Sequence, residues 1–378
     1  MNARNFASEA SSTPRVALTK GGLTSTLFRG RRFVSNYFST LAFIALSYWI
    51  VAQLSDFHRS MLQGQWQVGD VVVTVHALFL ALIVLYAVIL VPYYAAYPWM
   101  RSKAFTFAQG VWFALRRNRA NPRLSPLARQ AGLALLLKFF FAPLMINWCL
   151  IHIANLSGSL QQLLNGIDDG LWGRALFDTS LFWAAFQLIL FVDTLLFTLG
   201  YIIELPMLGN RIRTVEPTFF GWFICLACYP PFNDFTLRYL PWQSSDFPQF
   251  GNDFAHFAVN ALVLAALGVF SWASIALGFK ASNLTNRGIV THGPYALVRH
   301  PAYAAKNLAW WLGALHVLVT ELAAGEWRAL TSSLVSLFGW SAIYALRAIT
   351  EERHLLRSSN GYAEYARKVR WRFVPGIF

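Results

Sequence analysis

The chain has 378 residues, of which 56% are apolar and only 13% charged, and its 31 basic against 17 acidic side chains give a formal charge of +14. A soluble domain has roughly 25% charged residues. This depletion, with 15 Trp and 32 Phe, points to a polytopic membrane protein and excludes a disordered chain or a secreted disulfide scaffold. In such a protein the basic excess holds topology and meets anionic lipid, so the bilayer is the expected partner and nucleic acid is not.

Residues 1–33 are rich in Ser, Thr, Gly and Arg without apolar periodicity and read as a disordered tail. The first apolar run starts too late and is too long for the core of a cleaved signal. An apolar run of about 20 residues crosses the hydrocarbon. Such runs lie at about 36–54, 71–96, 131–153, 181–203, 254–279, 302–320 and 329–348, and a shorter one, 217–232, contains Pro230-Pro231. The expected fold is therefore an all-α polytopic membrane bundle of about eight transmembrane helices. It divides into the tail, an N-terminal transmembrane region over 34–253 and a C-terminal membrane domain over 254–378.

The basic residues fall on alternate connections. Twenty-five Lys and Arg lie in the tail, the 97–130 and 204–216 segments, the stretch before residue 302 and the C-terminal segment, against four, Arg59, Arg174, Arg238 and Arg328, on the opposite side. By the positive-inside rule this predicts both termini in the cytoplasm. The parity holds only if the 217–232 run crosses.

Lys138 and Asp193 fall inside spans, where ionisable side chains are costly and face the bundle interior. Both stand toward the cytoplasmic half, so the sequence allows a pairing that fixes helix packing, or contact with a substrate head. Cys225 and Cys228 have redox or metal spacing, but no His or second pair stands near, and they read with Cys149 as buried thiols. No metal is expected.

Two polar clusters interrupt the C-terminal apolar runs. The first is His292-Gly293-Pro294-Tyr295 through Val298-Arg299-His300-Pro301-Ala302-Tyr303; the second is Glu351-Glu352-Arg353-His354. Gly293-Pro294 signals a turn and Pro301 suits the first turn of a helix. A helix between them would put Tyr295 and Arg299 on one face at i,i+4. Glu351 and Glu352 close the last apolar run, where acids oppose the helix dipole. Either that helix continues to about Arg357, or a cation such as Arg299 holds the acids.

These motifs, with Tyr362, Tyr365 and Val374-Pro375 after them, resemble the isoprenylcysteine carboxyl methyltransferase and phospholipid methyltransferase superfamily. The likeness covers about residues 270–378. It implies a cytoplasm-facing S-adenosylmethionine site built from His292, Gly293, Tyr295, Val298, Arg299, His300, Pro301, Tyr303, Glu351 and Glu352, and open on one side to lipid. One position departs: Ala305 stands where the family often has Gly, which would narrow backbone approach to the cofactor.

For this chemistry Arg299 suits the donor carboxylate, Glu351 or Glu352 its positive groups, and Tyr295 and Tyr303 offer aromatic faces to a cation. His300 suits the adenine or ribose. Arg299, Glu352 and His300 are the expected catalytic residues, with Glu352 or His300 taking the proton of an amine acceptor. The expected acceptor is a membrane lipid or a lipidated small molecule, and no obligate protein partner is inferred.

The C-terminal third also resembles membrane sterol reductases, which use NADPH; Lys280, Arg287 and Lys306 would then meet the 2′-phosphate. A transporter would account for the spans but not for two polar clusters on one face.

Overall fold

The structure, a computed structural model, describes residues 22–68, 71–117, 123–358 and 361–377. Residues 1–21 of the expected tail, and Arg119, lie outside them. In chain order the elements are α1 (Gly22–Leu54), α2 (Asp56–Leu62), a hairpin of β1 (Gln65–Val68) and β2 (Val71–Thr74), α3 (Val75–Ala96), α4 (Lys103–Arg117) and α5 (Pro126–Asp168). Then come α6 (Gly173–Leu176), which passes through a π-turn into α7 (Phe182–Ile202), β3 (Thr214–Val215), α8 (Phe219–Leu226) and α9 (Asn233–Tyr239). The C-terminal part holds α10 (Asp253–Leu277), β4 (Thr285–Asn286), α11 (Pro301–Ala323), α12 (Trp327–Leu356) and α13 (Tyr362–Lys368).

The chain is an all-α polytopic membrane bundle. Among the described residues six helices are long and apolar enough to cross a membrane: Gly30–Leu54, Val75–Ala96, Pro126–Asp168, Gly173–Ile202, Asp253–Lys280 and Trp327–Leu356. α11, at 23 residues, has the length as well, with its apolarity lowered by Lys306, Asn307 and Glu321.

Several expected boundaries shift. Residues 22–33 of the expected tail belong to α1. The run at 71–96 begins as β2, and Thr74 caps the helix that follows by accepting from the Ala77 amide. α5 starts at a Ser125 cap with Pro126 at its first turn and continues for 43 residues, about 64 Å, so most of the loop expected after residue 153 is helix.

The 217–232 run does not form a spanning helix. α8 has eight residues, about 12 Å, and ends before Pro230-Pro231, which have no amide protons to continue it. The chain nonetheless returns along the bundle here. α7 and α10 run parallel: His256 Nε2 meets Asp178 Oδ1 at 3.0 Å at one end, and Gly200 packs on the Ala281 carbonyl at the other.

The chain between two parallel neighbours must return through the bundle. It does so as α8, a turn, α9 and an extended limb. Tyr229 packs against Phe141 of α5 at 5.1 Å between ring centroids. Trp340 Nε1 donates to the Leu240 carbonyl at 3.0 Å, and Asn260 Nδ2 to the Pro248 carbonyl at 3.0 Å. The Ser245 amide donates to the Gly313 carbonyl at 3.1 Å. Both polar clusters lie at one end of the bundle.

The interior of that end is packed around α5. Leu137, Phe141 and Leu144 are fully buried against Tyr201, Val215 and Cys225, with Phe141 and Tyr201 stacked at 5.3 Å. Of the two readings left open for Lys138 and Asp193, their pairing does not occur. Lys138 Nζ lies 2.8 Å from Glu204 Oε1, and Lys103 Nζ lies 2.6 Å from Glu204 Oε2. Asp193 accepts instead from the Ser274 hydroxyl.

Candidate functional site

Residues 292–303 do not form one helix. A short 3₁₀ turn covers Gly293–Ala296, and α11 starts only at Pro301. Tyr295 and Arg299 are therefore not helical i,i+4 neighbours. The intervening backbone is held by the C-terminal tail: the Arg299 amide donates to the Trp371 carbonyl and the His300 amide to the Arg372 carbonyl, both at 2.9 Å. Tyr365 Oη donates to the Tyr295 carbonyl at 2.8 Å.

α12 continues through both glutamates to Leu356, and Glu352 is also held by a cation, so both expectations for these acids are met. Glu352 Oε1 lies 3.3 Å from Arg299 Nε and accepts from His300 Nε2 at 3.2 Å, while Oε2 accepts from Arg372 Nε at 3.1 Å. Glu352 is 4% exposed and engages all three partners at once. Glu351, one residue before it, accepts from the Tyr303 hydroxyl and lies 3.8 Å from His300 Nδ1. His300 and Tyr303 stack at 5.5 Å.

Glu351, Tyr295, Arg299, His300 and Tyr303 line a cavity of about 220 Å³. Glu352 stands behind Glu351, off the wall, and His292, Gly293, Val298 and Pro301 also lie outside the lining. His292 is exposed, while Val298 is buried. Ala305 is buried in helix packing and likewise off the wall, so its methyl group does not narrow the cavity. Burial, with Glu351 next, pushes the Tyr295 phenol well above its usual range, so this hydroxyl faces the cavity as a neutral group.

Three parts of the wall lie outside the residue set that the methyltransferase resemblance implies. The first is Arg347. It is 2% exposed, sits 4.9, 5.0 and 5.5 Å from the rings of Tyr344, Tyr303 and Tyr229, and donates to Asn283 Oδ1 at 2.9 Å. Its Nε has no hydrogen-bond partner among the described residues.

At the membrane end of the cavity stand Asp193, Ser274 and Lys306. Lys306 Nζ lies 5.2 and 5.6 Å from the Phe270 and Trp310 rings. Near the opposite end, His354 Nε2 meets Thr214 Oγ1 at 2.9 Å and its Nδ1 lies 3.8 Å from Glu216 Oε2. Lys306, Arg347 and Asp193 each interrupt an apolar run, which is the one signal by which sequence reasoning finds them.

Fold and site together define a multi-pass membrane protein with a polar cavity between its C-terminal helices. Residues 241–369 match a family model described as a protein of unknown function, DUF1295. The match runs from the extended limb into α13 and so includes α10, α11 and α12. No curated protein matches the chain.

Proposed function

We propose that the chain is an integral-membrane, S-adenosylmethionine-dependent methyltransferase acting on a lipid or lipidated acceptor. The observation that carries this reading is the meeting of residues 295–303 with Glu351 on one cavity wall that continues to Asp193 and Lys306 at membrane depth. A carboxylate at Glu351 and an unpartnered guanidinium N–H at Arg347 on the same wall suit the zwitterionic end of an amino-acid-like donor. Bound there, S-adenosylmethionine supplies an electrophilic methyl group.

The chain's own residues position and desolvate. Arg299 and Arg347 hold a carboxylate; Glu351 holds an ammonium; Tyr295 and Tyr303 cover a cationic centre. Positioning of this kind can supply roughly 7–11 kcal/mol of a displacement barrier. The cavity is smaller than the roughly 300–1,000 Å³ of sites that enclose a whole ligand, so the rest of the acceptor lies in the bilayer. Fixed tyrosines and the buried Arg347 keep water from the reacting groups. Glu352 acts through Arg299 and His300 as a positioning residue. The excess of basic residues on the connections at this end supports a cytoplasmic orientation for it.

A second reading, an NADPH-dependent reductase, is favoured by the charge of the wall. Lys280, Arg287, Arg299, Lys306 and Arg347 outnumber Asp193, Glu216 and Glu351, and the matched family is associated with steroid 5-alpha reductase-like membrane proteins. Calorimetric titration of the purified protein with S-adenosylmethionine, its demethylated product and NADPH separates the two. Binding of the first two supports the methyltransferase; binding of NADPH alone overturns it.

A further inference from the structure

Away from Glu351, the cavity wall bends around Gly288, in the loop after β4. Arg213 and Lys280 face the space beside it, and Arg287, its chain neighbour, lines the cavity with Lys280. Arg213 is exposed, Lys280 half-buried and Arg287 2% exposed. Gly288 has φ +97°, and a Cβ on it would stand 3.3 Å from Arg213 Nη2 and 3.7 Å from Lys280 Nζ. The missing side chain thus leaves open the space that the two cations face.

Arg287 Nη1 donates to the Asn210 carbonyl at 2.7 Å, but its Nε and Nη2 are buried without a hydrogen-bond partner among the described residues. Burial pushes its guanidinium below the usual range, against the pull of Glu204. Glu204 is itself already held by Lys103 and Lys138. None of the three cations has a carboxylate within ion-pair distance among the described residues. The Ser282 and Thr285 hydroxyls, 2.5 Å apart, share the cavity wall with Lys280 and Arg287.

Like charges gathered with unspent donors are unfavourable unless an anion joins them. The set of two guanidiniums, one ammonium and two hydroxyls matches the oxygens of a phosphate, which accepts several charge-assisted bonds at once. We propose that Arg213, Lys280 and Arg287 form an anion site at the cavity mouth that binds the phosphate of a phosphate-ester ligand. A lipid headgroup and a soluble nucleotide both carry this group. The site does not depend on the methyltransferase reading, because its readout is phosphate binding and not methyl transfer.

The test uses the full-length protein in a neutral detergent, titrated by thermophoresis with short-chain phosphatidic acid and, separately, with adenosine 2′,5′-bisphosphate. At least one probe is expected to bind. Lys280→Gln and Arg213→Gln are each expected to weaken that probe by about tenfold, and added salt to weaken it further. Both variants lie at exposed or half-buried positions and keep the fold if Arg287→Gln does not. Binding of the lipid probe alone assigns a headgroup, and of the nucleotide alone a soluble ligand. If neither probe binds, or if binding is unchanged in Lys280→Gln and Arg213→Gln, the site is refuted.

Discussion

His300 Nε2 lies 3.2 Å from Glu352 Oε1, joining two residues that are 52 positions apart. Because Arg299 and Arg372 converge on the same carboxylate, Glu352 fastens three segments: the loop before α11, the end of α12 and the C-terminal tail. Glu351 is left to face the cavity. The two neighbours therefore separate by experiment. Glu352→Ala removes the buried carboxylate shared by Arg299, His300 and Arg372 and should cost about 3–5 kcal/mol of stability, read as a lower melting temperature. Glu351→Ala should keep the melting temperature and lose donor affinity in calorimetry. Equal melting temperatures for the two variants would remove the distinction.

Glu204 supplies a pH dependence. Burial by itself raises its carboxyl, but Lys138 and Lys103 outweigh burial and hold it well below the usual carboxylate range. Since the folded value lies under the unfolded one of about 4.3, the stabilisation is complete above that value. It is lost as pH falls through the folded value. Glu204→Gln should be markedly less stable than wild type at pH 7, with the gap closing on acidification below about pH 4. A gap that stays constant with pH would contradict the triad.

Gly313 tests the broken crossing. A Cβ there would overlap the Ser245 carbonyl oxygen and the Ser244 hydroxyl, so Gly313→Ala should push the extended limb away from α11. Loss of the bond from the Ser245 amide to the Gly313 carbonyl should cost about 1 kcal/mol or more. Thermal melting and proteolysis between α9 and α10 would register it. Gly325→Ala, in open space at the far end of α11, is the comparison: strained by its φ of +69°, it should leave that proteolysis unchanged.

Lys306 has no carboxylate within ion-pair distance among the described residues and points into the membrane end of the cavity. On the proposed function, Lys306→Met should raise the acceptor KM by about tenfold or more and leave donor affinity intact. A parallel loss of donor affinity would move Lys306 to the donor side of the site.

Membrane placement is open to labelling. Leu124 and Gln162 are exposed beyond opposite ends of the central part of α5. In sealed vesicles of known orientation, Leu124→Cys and Gln162→Cys should react with an impermeant maleimide from opposite sides, with Leu124→Cys on the cytoplasmic side. Reaction of both from one side would mean that α5 does not cross.

The spanning helices were legible because an apolar run of the right length admits few other fates. The joining of residues 299–303 to Glu351 and Glu352 was legible because opposite charges at the ends of apolar runs need each other. Glu204 was missed because it stands just past the end of α7, where nothing in the local pattern ties it to Lys138. Arg347 was missed because its partners, Asn283 and the rings of Tyr229, Tyr303 and Tyr344, meet it only in the folded bundle. Tyr295 and Arg299 share a wall through a 3₁₀ turn and the hold of the C-terminal tail, not through the helix their spacing suggested.

The limb between α9 and α10 has a consequence for biogenesis. Irregular backbone at membrane depth survives only where protein shelters it, and its hydrogen-bonding partners Asn260, Gly313 and Trp340 all leave the ribosome after it. This stretch is made early but secured late, so a nascent chain halted before α12 would carry a half-built wall facing lipid. Completion of the last hairpin, rather than insertion of each helix in turn, is the event that closes the protein.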